Sequence, residues 1–455
     1  MKKFSVILIV LSLILLVGFA ILTTTFKPLE SLMRPPKVEG ENLSVQLAFE
    51  EKVGTDYVLK QPVSGNYRSA FNFIDLTGDK KDEVVIFYSK ADNLGIVRMN
   101  VLNYADGKWN SIADFQSVHN DIQEVEFADL NGNGNKEIIV GWTVFQDSYS
   151  KLINVYEVNE KKKAVRIYPV YGDYYSMFRV ADFDANGRND ILTLKYAVAG
   201  DSAEYTGTIL SYDNSKITER KTFLLDKSVN SVAAINFDYT DNGKTRIFVD
   251  GYKADSGMIT DCFVWDTADD TLERMFVGGN SIASLTLRTS SVICKDINSD
   301  GYIEVPTENY LPNISDDNLP GNSNNLGTSL ITWLWLHEDS SEIVVNHIIF
   351  SQYGFSFIFT DNMMGNISVE NNTQKGNLTF YSLKFINGVA VKDKPVFSIM
   401  TLTGFDLDFE SISETSFHDS LIAQVKDKYY YCRLYDEAEK YGITKKEIKN
   451  SIILG

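Results

Sequence analysis

From about Ser69 to Phe350 the chain alternates short apolar runs with clusters of Asp, Asn and Gly. The runs "SAFNFI", "EVEFA" and "MFRVA" precede such clusters, and "VVIFYS", "IIVGWTVF", "ILTLKYAV" and "IFVDGY" follow them. Val, Ile, Phe and Tyr at this density between turn residues predict strands. Further along each unit comes a hairpin pattern of apolar strand, polar turn and second strand, as in "VRMNVLNYADGKWNSIADF" and "CFVWDTADDTLERMFV". Each unit therefore predicts about four antiparallel strands.

The turn clusters repeat. They begin at Asp75, Asp129, Asp182, Asp238 and Asp296, 53 to 58 residues apart. A single four-stranded sheet cannot bury both of its faces, so such units must stack on one another, as propeller blades do. The predicted fold class is mainly β, a β-propeller of five visible four-stranded repeats. Ring closure by six or seven blades is left open.

Each loop places oxygen-bearing side chains at alternate positions, which suggests a calcium loop. An EF-hand requires flanking helices and a bidentate carboxylate at position twelve. Position twelve here is Ile86, Val140, Thr193, Val249 or Thr307, and the flanks read as strands, so the EF-hand is excluded. An acid falls instead at position nine, in Glu83, Glu137, Asp190 and Glu304. A plain Asx-Gly turn has no use for it.

This D-x-[DNT]-x-[DN]-x-x-x-[DE] loop between two strands resembles the FG-GAP, or VCBS-type, repeat of calcium-binding β-propellers such as integrin α-subunits. The resemblance implies calcium held by side chains at positions one, three, five and nine and by the carbonyl at position seven. The first implied set is Asp75, Thr77, Asp79 and Glu83, and the second Asp129, Asn131, Asn133 and Glu137. The third is Asp182, Asp184, Asn186 and Asp190, and the last Asp296, Asn298, Asp300 and Glu304. Gly134, Gly187 and Gly301 at position six permit a positive φ, whereas the first loop has Lys80 there. The fourth loop keeps Asp238, Thr240 and Asn242 but carries Arg246 at position nine. A guanidinium there replaces the metal's charge by pairing with Asp238, so this loop is expected to be metal-free.

Charge changes the list of partners. A net charge of −18 repels nucleic-acid phosphates, so nucleic acid is excluded as a partner. Lys2 and Lys3 precede an apolar run from Phe4 to about Leu22, long enough to span a bilayer. Residues 1–26 are therefore expected to be a signal anchor or transmembrane segment, with cleavage as a signal peptide left open, and 27–45 a stalk. Residues 46–351 form the expected propeller. Residues 352–455 form a small α+β domain, ending in a helix that Thr444 and Glu447 cap. The expected location is the extracytoplasmic face of a cell membrane, or secretion if the segment is cleaved.

Catalytic signatures are missing. The four histidines have no ligand spacing, no G-x-S-x-G elbow occurs, and three widely spaced cysteines are no disulfide framework. Trp333 and Trp335 read as blade core rather than a sugar platform. The expected function is a membrane-tethered calcium-binding propeller acting in binding, adhesion or sensing, with a protein or glycan ligand and structural Ca2+. The alternative is a carbohydrate-active hydrolase or lyase on the same scaffold.

Overall fold

The computed structural model describes residues 41–454, apart from 144–150, 162–163, 200–201, 214–215, 255–256, 313–327, 338–339, 351, 373–375, 387 and 404–420. Two compact units emerge, Met1–Ile122 with Asn159–Ile167, and Gln123–Val158 with Tyr168–Gly455.

In the first unit, helix α1 (Glu41–Val53) precedes β1 (Tyr57–Leu59), β2 (Phe71–Ile74), β3 (Glu83–Lys90), β4 (Asn93–Ala105) and β5 (Lys108–Gln116). Both β1 and β2 pair with β3, which continues antiparallel into β4 and β5. The segment "VQLAFEEKV" is compatible with strand or helix, and it is helical. Val45 and Phe49, one turn apart, bury one face against Val84, Ile86 and Tyr88.

The remaining strands belong wholly or mainly to the second unit. Antiparallel meanders follow in chain order: β6 (Asp121–Ala128), β7 (Glu137–Thr143), β8 (Lys151–Lys161) and β9 (Ala164–Tyr175) form the first. The next is β10 (Met177–Ala181), β11 (Asp190–Ala199), β12 (Ser202–Asp213) and β13 (Lys216–Leu224). Then come β14 (Val229–Tyr239), β15 (Thr245–Lys253), β16 (Met258–Asp266) and β17 (Thr271–Arg274). A short ribbon, β18 (Phe276–Val277) and β19 (Asn280–Ser281), leads into helix α2 (Ile282–Leu285). The fifth large sheet orders β20 (Val305–Tyr310), β21 (Ser329–Leu336), β22 (Ser341–Phe350) and β23 (Phe355–Phe359). The chain is thus mainly β, built from the four-stranded antiparallel meanders expected of propeller blades.

Alternation explains how these sheets pack. On β11, Ile191 enters a core with Ile139, Ile153 and Phe178, while Leu192 enters a different one with Ile235, Ile247 and Phe263. On β15, Phe248 turns to a third core with Cys262, Cys294 and Val305, opposite Ile247 and Val249. Strands covered on both faces read as continuous apolar runs, which is the pattern of "IIVGW" and "RIFVDG". All three cysteines are buried and unbridged.

Beyond the repeats, β24 (Ile367–Asn372), β25 (Asn377–Ile386) and β26 (Val389–Thr403) continue through β28 (Lys428–Leu434) to β27 (Leu421–Val425). A 3₁₀ helix (Asp436–Tyr441), helix α3 (Lys445–Ser451) and β29 (Ile452–Leu454) follow. The capping box is present, with Thr444 and Glu447 each bonding the other's backbone N–H. The fourth strand of the fifth sheet, β23, lies past the boundary expected at residue 352, and β29 pairs with it. Its alternating Phe355, Phe357 and Phe359 share a core with Phe380 and Phe397, whose rings stack at 4.1 Å.

The membrane tether requires correction. No helix among the described residues is long and apolar enough to cross a membrane. The expected span lies outside those residues, and α1, the first helix described, has 13 residues and carries Glu50, Glu51 and Lys52. Thirteen residues reach about 20 Å, short of a hydrocarbon core of about 30 Å. The "NISDDNLPGNSNNLG" insertion likewise lies outside the described residues.

His347, buried on β22, is pushed down to about 4, first by burial and then by Lys295. It is neutral in the fold, while the unfolded chain protonates it near pH 6.5. Its contribution is intact above that pH and lost as pH falls towards 4. Replacement by Phe should flatten the decline in Tm between pH 6.5 and 4.5; an unchanged decline assigns it to other groups.

Candidate metal centres

Four of the five repeat loops share one hydrogen-bond scheme. The first Asp accepts the N–H of position six, from Lys80, Gly134, Gly187 or Gly301, at 2.8–2.9 Å. Position five accepts the N–H of position seven: Asp79 from Lys81, Asn133 from Asn135, Asn186 from Arg188 and Asp300 from Tyr302, at 2.7–2.8 Å. The position-nine carboxylates Glu83, Glu137, Asp190 and Glu304 accept the N–H of position two at 2.9–3.2 Å. In three loops position three, as Asn131, Asp184 or Asn298, also accepts the N–H of position five. Thr77 holds the same place in the first loop.

Positive φ falls at position six, including Lys80 at 68°, so the non-glycine residue adopts the same turn. It falls at position four as well, at Gly78, Gly132, Ala185 and Ser299. That second requirement has a weak trace in the sequence, because only two of the four copies use glycine. Two further groups lie outside the motif: Ser211 on β12 donates to Asp190 at 2.6 Å, and Glu157 on β8 adds negative charge near Glu137. Their spacing from the loops, one hairpin away, hides them from a motif.

The acids at position nine are 0–5% exposed. Burial, reinforced by acids of the same loops, pushes Glu83 and Glu137 up to about 7 and Asp190 up to about 6; Glu304 is raised too. Buried Glu304 Oε1 and Asp75 Oδ1 have no hydrogen-bond partner among the described residues. In the third loop Asp182, Asp184 and Asp190 bring donor oxygens within 4.8 Å of one another, the one such group among the described residues. The three acids of the first and last loops do not converge to that degree; Asp79 is turned to Lys81 and Asp300 to the amide of Asn298. Hard oxygen donors in a turn, with orphaned buried lone pairs, fit a divalent cation of the calcium type.

The fourth loop is different. Asp238 and Arg246 form a buried bidentate pair, Nε–Oδ1 at 2.8 Å and Nη2–Oδ2 at 2.5 Å. Arg246 also donates to the Leu336 carbonyl, and Asp238 accepts the Ile303 N–H at 2.7 Å. The turn closes through Thr240 and Lys244, so the guanidinium occupies the place expected for it. Successive loops are also joined. Asn189 N–H donates to the Asp129 carbonyl at 3.0 Å, Tyr239 hydroxyl to the Asp182 carbonyl at 2.5 Å, and Tyr302 hydroxyl to Asp241.

No protein-family profile matches this chain, and no curated protein matches it in sequence. Among solved structures, an exo-β-1,3-galactanase from Phanerochaete chrysosporium is similar at 8% identity and a TM-score of 0.29, over 76% of this chain and 81% of that one. An endo-arabinase from Bacteroides thetaiotaomicron is similar at 13% identity and a TM-score of 0.27, over 62% of this chain and 99% of that one. The β-propeller domain of the Trilobed protease from Pyrococcus furiosus is similar at 12% identity and a TM-score of 0.24, over 66% and 81% respectively. Likenesses at these TM-scores carry no argument about activity.

Two outcomes follow. In chelator, raised carboxyls make the fold bind protons more tightly than the unfolded chain. The carboxyls' contribution to stability should be full near pH 4.5 and be lost as pH rises through 7; millimolar calcium should remove that slope between pH 6.5 and 8, and its absence in chelator contradicts it. Arg246→Ala strands Asp238 and should cost about 3–5 kcal/mol, unrecovered by calcium. Chemical denaturation measures both.

Proposed function

We propose that this chain is a calcium-binding β-propeller protein of the FG-GAP or VCBS type, exported from the cytoplasm, which acts as a binding, adhesion or sensor module. The observation that carries this reading is the shared loop scheme, with a buried acid at position nine in four copies. The residues that would hold the ions are Asp75, Thr77, Asp79 and Glu83; Asp129, Asn131, Asn133 and Glu137; Asp182, Asp184, Asn186 and Asp190; and Asp296, Asn298, Asp300 and Glu304. A bound calcium supplies positive charge that offsets desolvated carboxylates and fixes the turns. Export is supported by Lys2 and Lys3 ahead of the apolar run, and extracellular modules work with weak calcium sites, Kd about 10⁻⁴–10⁻³ M.

A second reading, a carbohydrate-active hydrolase or lyase, is favoured by a separate observation. Glu124 and Glu126 are half-buried acids outside every loop, and burial pushes Glu124 up to about 7, a value suited to acid–base work.

Calorimetry on the purified chain should report four calcium ions. At tenfold excess over Kd each contributes about 1.4 kcal/mol, so Tm should rise by several degrees and much less with magnesium. No bound ion with an unchanged Tm overturns the calcium reading. A screen for new reducing ends from oligosaccharides decides the second: their release favours the enzyme, and intact substrate the binding module.

A further inference from the structure

One face of the sheet β6–β9 changes character along its length. At one end Ala128, Ile139, Ile153 and Val155 are packed in the core shared with β10–β13. Two-residue alternation carries the same face on to Glu126 and Glu124 along β6, to Gly141 along β7 and to Lys151 along β8. Tyr175, which belongs to that core, is 1% exposed, and its hydroxyl has no hydrogen-bond partner among the described residues. A Cβ at Gly141 would lie 2.0 Å from that hydroxyl, so β7 has no side chain where the phenol sits. The Lys151 ammonium is 5.9 Å from the centre of the Tyr175 ring. Arg179, exposed on β10, lies within electrostatic range of both glutamates.

Apart from exposed Arg179, these groups are buried or half-buried and lack hydrogen-bond or ion-pair partners among the described residues. Glu124 and Glu126 are half-buried and make no hydrogen bond or ion pair among the described residues, and Lys151 and Arg179 make no ion pair. Half-buried charges left this way are costly unless something else pairs with them. The set carries two negative and two positive groups plus a phenol. A metal cation meets repulsion from Lys151 and Arg179, and a phosphate meets it from the two glutamates. A neutral ligand with several hydroxyls avoids both, since each hydroxyl donates to a carboxylate and accepts from an ammonium, guanidinium or phenol.

We propose that Glu124, Glu126, Lys151, Tyr175 and Arg179 form a binding site for a neutral polyhydroxylated ligand, a saccharide. The site rests on the reading of the chain as a binding module and names its ligand class. It is separate from the loops and needs none of their ions. Burial raises the carboxyls of Glu124 and Glu126, in keeping with groups awaiting partners.

The test uses the full chain with calcium on an array of neutral oligosaccharides, followed by calorimetry with the strongest binder. Binding is expected. Glu126→Gln, Arg179→Ala and Tyr175→Phe should each weaken it about tenfold, the loss of one charge-assisted or buried hydrogen bond. Calcium stoichiometry should stay as in the parent, which separates this site from the loops. Glu124→Gln should keep or raise Tm at pH 8, because it removes an unpaired half-buried charge. A silent array, binding indifferent to all three variants, or binding of free amino acids in place of saccharides overturns the proposal. A lower Tm for Glu124→Gln also overturns it, because that outcome makes the glutamate structural.

Discussion

A charge buried at the base of a tight turn must be matched by something, and the repeats of this chain are arranged around that requirement. Position nine opens β3, β7 and β11, lies second on β15 and immediately precedes β20, and it is 0–5% exposed in every copy, Arg246 included. Desolvating a lone carboxylate there costs several kcal/mol. The backbone N–H at position two returns part of this cost in four loops. The fourth loop solves the same problem internally, by exchanging the acid for Arg246 and pairing it with Asp238. One chain therefore contains two answers to a single electrostatic demand, one complete in protein atoms and one that leaves buried carboxylate oxygens without a protein partner.

Because position nine lies at or beside the start of a strand, whatever settles its charge also settles the strand. The links between successive loops extend this. Thr245 hydroxyl donates to the Phe183 carbonyl at 2.7 Å, and Ile303 N–H to Asp238. Each of the first three loops of the second unit thus accepts a hydrogen bond from the next. The buried Arg288–Asp250 pair at 2.7 Å, with Cys294 N–H on the other oxygen, applies the same logic away from the loops.

Much of this was legible in the sequence. The repeat spacing, the strands flanking each loop and the exchange at Arg246 are local patterns, and local patterns survive in a single chain. The helix Glu41–Val53 was ambiguous because its burial depends on β3, far along the sequence. The position of β23 was hidden for a related reason: "FSFIF" has the right alternation, but only its partner β22 assigns it to the fifth sheet. Convergence of the loop oxygens was the least legible feature. Motif positions dictate which side chains occupy a loop, whereas mutual repulsion and neighbouring donors decide how far they close, as Asp79 and Asp300 illustrate. Glu124 and Glu126 stand in plain view in "EVEFA", yet only the sheet brings Lys151 and Tyr175 beside them.

The pairing of β29 with β23 has a consequence for the order in which the molecule is made. Ile452–Leu454 supplies the outer strand of a sheet whose other members are complete by Phe359. A ribosome delivers β23 with its outer hydrogen-bonding edge uncovered and then synthesises a whole further sheet before the cover arrives. During that interval the edge is open to pairing with any extended segment. Ile452–Leu454 thus act as a closing seam, and the edge of β23 stays exposed to aggregation until they are made.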